Sequence, residues 1–325
     1  MDNIVKIAKP KLKQNTIDNY VRNINKLYRE IKTDKPLLGL KWLYSDKIQE
    51  FIDGLNTDNT RRTYYSIVIT LIGYDIDINK NYDKTPVLKS YIKKTSENHK
   101  AKTFTDNYFT DTKNEDKVVD MKLYDTLLTK LKEEKEYTAE LLFTILKLYP
   151  FRNEVKDFIV VDLKTYNNNE DKSKNYLVIN KSKMDFVRNQ YKTSEKYGVI
   201  KTTITDKGLK KLLNTYIKEN KIGNNTLLFK SVKNTEMSSN QLTTQLNKFS
   251  NKYIGVKLST GSIFKSVISS WINEKPRSEE EMKNYLTIKG NIRGTNEMTI
   301  GNKYVKASDK LSNEKKTKAT KATTL

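Results

Sequence analysis

A chain of 325 residues has room for two domains of ordinary size, each with a core of its own. Lysine and arginine number 61 against 39 acids, a formal net charge of +22, which points to a polyanionic partner such as nucleic acid or an anionic membrane surface. The absence of cysteine excludes disulfides and thiolate metal sites, and a single histidine, His99, excludes histidine-clustered metal sites and relays of two imidazoles. Chemistry is left to Tyr, Ser, Thr, Lys, Arg and carboxylates. No run approaches the roughly 18 apolar residues of a membrane span, and the N-terminal residues Met1 to Lys6 lack a signal-peptide core, so an intracellular protein is expected.

Along the chain, Ile17, Tyr20, Ile24, Leu27 and Ile31 recur at three- and four-residue steps and predict an amphipathic helix. Ser45 precedes a second helical pattern carrying Ile48, Phe51, Ile52 and Leu55, with Gly54 and Asn56 at its end. A third runs from Thr60 to Ile72 with Arg61 and Arg62 at its start, and a shorter one from Val87 to Lys94. Residues 1–95 thus read as a helical bundle. From Thr95 to Asp116 the chain is polar and aperiodic, which predicts a linker over 96–116 containing a solvated His99. Met121 to Glu133 and Thr138 to Leu148 read as helices, and Pro150 stops the second.

The period then changes. Tyr176 to Ile179, Phe186 to Tyr191 and Val199 to Ile204 are short segments with aromatic and β-branched residues between polar turns, predicting a small three-stranded antiparallel sheet. Helical patterns return at Leu209 to Ile217, Leu242 to Phe249 and Ile263 to Trp271, and Ser278 with Glu281 forms a capping-box pair ahead of Met282, Tyr285 and Leu286. The expected fold is mainly α: an N-terminal helical bundle, and a mostly helical C-terminal domain over 117–305 built around the small sheet. Residues 306–325 hold six lysines against two acids and predict a disordered basic tail.

Four motifs, in order, resemble those of the tyrosine recombinases and phage-type integrases. Phe151-Arg152-Asn153-Glu154-Val155 is similar to the family's first arginine box, although one residue rather than two separates the arginine from the glutamate. Asn189-Gln190-Tyr191-Lys192-Thr193 stands between two predicted strands, where the family carries a lysine; Lys181 and Lys183 are the alternatives if the strands are shifted. Thr260 to Ser266 matches the family's histidine, two residues, arginine, with Ser262 at the histidine position and Lys265 at the arginine position. Finally Gly294, Thr295 and, nine residues on, Tyr304 have the spacing of the nucleophile box, with Thr295 where histidine or tryptophan is usual.

The resemblance covers residues 10 to 305 or so, and three of its six catalytic identities are replaced. It implies Tyr304 as nucleophile forming a 3′-phosphotyrosyl link, Arg152 as a bidentate phosphate clamp, Lys192 as the proton donor to the leaving 5′ oxygen, and Lys265 as a point cation in place of an arginine fork. Ser262 and Thr295 fill the remaining two places. Arg277 or Arg293 is a candidate for the missing second arginine. The resemblance also implies duplex DNA as partner, contacted by Arg61 and Arg62 among other cations, a tetrameric synapse, and no metal or nucleotide cofactor. The alternative is a recombinase-derived binding protein that no longer cleaves.

Overall fold

The computed structural model describes residues 2–12, 14–31, 40–80, 82–108, 118–168, 171, 173–181, 183–231, 233–275, 277–295 and 300. Tyr304 and the basic tail 306–325 lie outside the described residues. The chain divides into two compact units, Met1–Tyr108 and Phe109–Leu325.

The first unit is helical. It contains α1 (Asp2–Ala8), α2 (Gln14–Glu30), α3 (Asp46–Asp53), α4 (Asp58–Asn79) and α5 (Thr85–Tyr108). The centre is α4, which buries Tyr64, Tyr65, Ile67, Val68, Leu71, Ile72 and Ile76 against Ile17, Ile24 and Leu27 of α2 and Ile48 and Ile52 of α3. Thr57 caps α4, its side chain accepting from the Thr60 N–H at 3.2 Å. Two boundaries differ from expectation. The helix α1 precedes the first predicted element. And α5 continues to Tyr108, through much of the segment that its polarity marked as a linker. Residues 95–108 contain neither glycine nor proline, so a helix already nucleated has nothing to stop it even without an apolar stripe.

The second unit carries α6 (Met121–Glu133), α7 (Tyr137–Leu148), β1 (Phe158–Asp162), α8 (Leu163–Asn168), β2 (Asn175–Asn180), β3 (Lys183–Arg188), α9 (Ser194–Tyr197), β4 (Ile200–Thr203), α10 (Lys207–Glu219), β5 (Thr226–Leu227), α11 (Ser239–Ile254), α12 (Thr260–Glu274) and α13 (Glu279–Arg293). The sheet corrects the sequence expectation in size and pairing: it has five strands in the order β4-β3-β2-β1-β5. The predicted antiparallel meander is its β2-β3-β4 portion, with Leu177 opposite Phe186 and Phe186 opposite Thr202. Beyond it β1 pairs with β2 in parallel, Val160 opposite Leu177, and β5 pairs antiparallel with β1. The parallel step uses the crossover 163–174, including α8.

Both faces of the sheet are covered. Phe158, Val160, Leu177, Met184 and Phe186 join the main core with α6, α7, α10 and α11. On the other face Val161, Tyr176, Val178 and Val187 pack with Leu163 and Tyr166 of α8. Burial on both sides explains why Phe158-Ile-Val-Val gave no alternating pattern in the sequence. A smaller cluster joins α12 to α13 through Phe264, Ile268, Ile272 and Leu286, with Trp271 and Tyr285 stacked at 3.7 Å between ring centroids.

Candidate functional site

Four segments far apart in sequence meet at the C-terminal end of α13. Gly294 takes a left-handed conformation (φ 67°, ψ 52°) and ends the helix. Its N–H donates to the Asn291 carbonyl at 3.2 Å, and the Thr295 N–H donates to the Gly290 carbonyl at 2.9 Å. The next three carbonyls, which a helix end leaves without partners, each receive a side chain from elsewhere. Arg188, the last residue of β3, donates Nη2 to the Ile292 oxygen. Arg152 donates Nη1 to the Arg293 oxygen at 2.7 Å. Thr193, just past Lys192, donates its hydroxyl to the Gly294 oxygen. The helix end is thus gripped by the arginine box and by the β3-β4 connection together.

Arg188 is the node of this seam. Its side chain is wholly buried, and Nη1 donates to Glu154 Oε1 at 2.9 Å. The guanidinium lies 4.8 Å from the Phe151 ring centroid and 4.8 Å from that of Tyr191. Burial lowers its proton affinity and Glu154 opposes that shift; an arginine keeps its charge in such a setting. Arg293 donates Nη1 back to the Pro150 carbonyl at 3.0 Å and stacks on Phe264 of α12, guanidinium carbon to ring centroid 4.3 Å. Thr260, at the start of α12, donates to Asn153 Oδ1 at 3.0 Å. Each of the motif segments picked out in the sequence therefore touches another.

Their individual residues fare differently. Arg152 is half-buried, with Nη1 bonded to Arg293 and the rest of its fork making no hydrogen bond among the described residues. Lys192 is exposed, in a turn fixed by Asn175: its Oδ1 accepts the Asn189 and Gln190 N–H groups at 2.9 and 2.8 Å, and its Nδ2 donates to the Gln190 carbonyl at 2.8 Å. Lys181 and Lys183 sit at the opposite end of β3 from Arg188, about 17 Å away along an extended strand. The seam therefore adjoins Lys192 rather than these two.

On α12, Lys265 is 5% exposed and its ammonium makes no hydrogen bond or ion pair among the described residues. Ser262 is the third residue of that helix and completes a capping box. Its Oγ accepts the Ser259 N–H at 2.7 Å and donates to the Ser259 carbonyl at 3.0 Å. Thr295 is half-buried beyond the α13 cap, and Tyr304 lies outside the described residues. Of the two substitutes for a second arginine, Arg293 is committed to Pro150 and Phe264. Arg277 is committed to the Trp271 carbonyl, the Trp271 ring at 4.2 Å and Glu274 at 2.8 Å.

In the first unit Arg61 donates Nη1 to the Leu55 carbonyl at 2.8 Å, beyond the end of α3, while Arg62 makes no hydrogen bond or ion pair among the described residues. Sequence reasoning missed Arg188, Asn175 and Tyr191. A charged residue among the apolar ones of β3 is a signal for Arg188, and Asp185 in the same strand shares it.

The seam holds Arg152, Arg188 and Arg293, of which Arg188 is paired with Glu154, and Lys192 follows Tyr191 as an exposed cation in the same connection. Arg188 and Arg293 are buried and held by protein partners, so Arg152 and Lys192 are the cations of the seam left open to an anion.

No protein-family model matches the sequence, and no curated protein matches it either. Two solved structures are similar to the chain over most of its length. One is the XerA recombinase, at 12% identity and TM-score 0.41, covering 93% of this chain and 90% of the other. The second is the XerH site-specific recombinase bound to difH substrate in a pre-cleavage complex, at 11% identity and TM-score 0.44, covering 90% and 87%.

Proposed function

We propose that the protein binds duplex DNA and cuts and rejoins it at a specific site as a tyrosine-type recombinase. The observation that supports this reading is the meeting of the arginine box, the Lys192 turn, α12 and the α13 end in one positively charged seam. The sequence had marked those segments separately. In this reading Arg152 presents the unbonded part of its fork to a non-bridging oxygen of the scissile phosphate, with Lys265 as a second cation. The phenolic oxygen of Tyr304 bonds to phosphorus, the bond to the 5′ oxygen breaks, and Lys192 supplies the proton that oxygen needs. The phenolic proton passes to water. Arg62, half-buried, and the exposed lysines hold the duplex through its phosphates, so binding weakens steeply with salt, and protomers assemble on the DNA as a synaptic tetramer.

A second reading, a DNA-binding relative that no longer cleaves, is favoured by Ser262, whose hydroxyl is occupied within its own capping box and cannot relay protons as a histidine there would. Nicked duplex fragments from the protein's own genome, incubated with wild type and Tyr304→Phe and run on denaturing gels, separate the two. A DNA-linked band present only in the wild type is expected. Tight duplex binding without the band gives the second reading, and failure to bind duplex at moderate salt overturns both.

A further inference from the structure

We propose that Arg188 is a positioning residue for the phosphate-binding arginine, Arg152, acting through the end of α13; this rests on the reading of Arg152 as a phosphate contact. Arg188 is wholly buried and cannot itself reach DNA. Yet it is bonded or stacked to three of the four segments: Glu154 and Phe151 of the arginine box, Tyr191 of the β3-β4 connection, and the Ile292 carbonyl of α13. The adjacent carbonyl, that of Arg293, is what Arg152 Nη1 binds.

The carbonyls of Ile292 and Arg293 are rigidly linked as neighbours on one helix. Fixing the first therefore fixes the second, and with it the point at which Arg152 Nη1 is held. The third, that of Gly294, holds the turn next to Lys192 by the bond from Thr193. One buried fork thus sets the anchor point of the clamp and the helix end from which the chain leads toward Tyr304. A lysine could keep the charge next to Glu154. It could not bond both Glu154 and Ile292 through a planar fork placed within 4.8 Å of the Phe151 and Tyr191 rings.

The test is a double-variant cycle on duplex binding, reading the slope of log affinity against log salt for wild type, Arg152→Gln, Arg188→Lys and the pair. Each phosphate contact contributes about 0.9 to that slope. The expected result is that Arg188→Lys lowers the slope by nearly as much as Arg152→Gln, and that the pair is no lower than Arg152→Gln alone. A merely structural Arg188 leaves the slope unchanged, or its effect adds to that of Arg152→Gln; either result overturns the proposal.

If Arg188→Lys melts too low to assay, Glu154→Gln serves instead. It removes the charge partner of Arg188, while the amide oxygen can still accept from Nη1 and the Ile292 bond is kept, so binding of Arg152 to phosphate and its share of the slope are retained; a loss equal to that of Arg152→Gln would show that the carboxylate, not the helix end, does the positioning and would overturn the proposal. If Arg152→Gln itself leaves the slope at the wild-type value, the phosphate role of Arg152 fails and the proposal with it. That outcome is distinct from an additive cycle, in which Arg152 stands and Arg188 does not. For a cleaving protein, covalent capture by Arg188→Lys at saturating protein falls by about 100-fold, the scale of a misplacement near 1 Å.

Discussion

Gly294 shows how narrowly a single position is constrained. Its φ of 67° is one that side chains with a Cβ adopt only with strain, and a Cβ there would collide with the Tyr191 ring. Gly294→Ala is expected to lower stability by about 2 kcal/mol or more, read as a shift of the urea midpoint at unchanged slope. The Arg188–Glu154 pair is constrained in another way. Both side chains are buried, so removing one leaves the other charged and unmatched. Glu154→Ala is expected to destabilise by about 3–5 kcal/mol, whereas replacing both residues with apolar ones of similar volume recovers much of that loss. Such a rescued variant would separate stability from duplex binding, because the Ile292 carbonyl would still have lost its donor.

Among the elements, α12 turns a residue marked for chemistry into one that serves its own helix. The Ser259 and Ser262 side chains cap each other's backbone, and Ser262→Ala is expected to lower stability by about 1 kcal/mol while leaving covalent capture unchanged. Ser262 matches the family motif through Lys265, three residues after it, whereas the partner it serves is Ser259, three residues before it. Long periodic helices were legible: Met121–Glu133 was read to the residue, and the Ser278 capping box stands as expected. The strands β1 and β5 were not. The first is an unalternating apolar run, and the second is two residues long, its pairing fixed only by contact with β1.

In the bundle, Asp53 at the end of α3 accepts the Tyr65 hydroxyl of α4 and binds Lys94 of α5 at 2.9 Å. Burial pushes its carboxyl up, but the Tyr65 bond and the Lys94 ammonium outweigh this and hold it below its usual range. With the folded value depressed, the stabilisation is present above the ordinary carboxylate pKa of about 3.9 and is lost as pH falls through the folded value. The wild type is therefore expected to lose more stability than Asp53→Asn between pH 5 and pH 2 in chemical denaturation. The difference should stay below about 1 kcal/mol because the pair is partly exposed.

For the whole molecule, the described cores are separate: the cluster around α4 draws only on residues up to Tyr91, and the large cluster around the sheet begins at Val119. Calorimetry of the full chain is expected to resolve more than one unfolding transition rather than a single two-state one. Composition marked a polar linker over 96–116, whereas α5 continues to Tyr108. The seam was not legible, because it is built largely from donors aimed at main-chain oxygens, and a backbone carbonyl leaves no mark in a sequence. That same feature bears on how the protein tolerates drift. An oxygen of the main chain survives every substitution, so Ile292 can be exchanged for another apolar residue without removing the acceptor that Arg188 grips. Mutational sensitivity at this junction should therefore be lopsided: severe on the arginine and threonine side, and mild on the helix side except at the glycine that turns the chain.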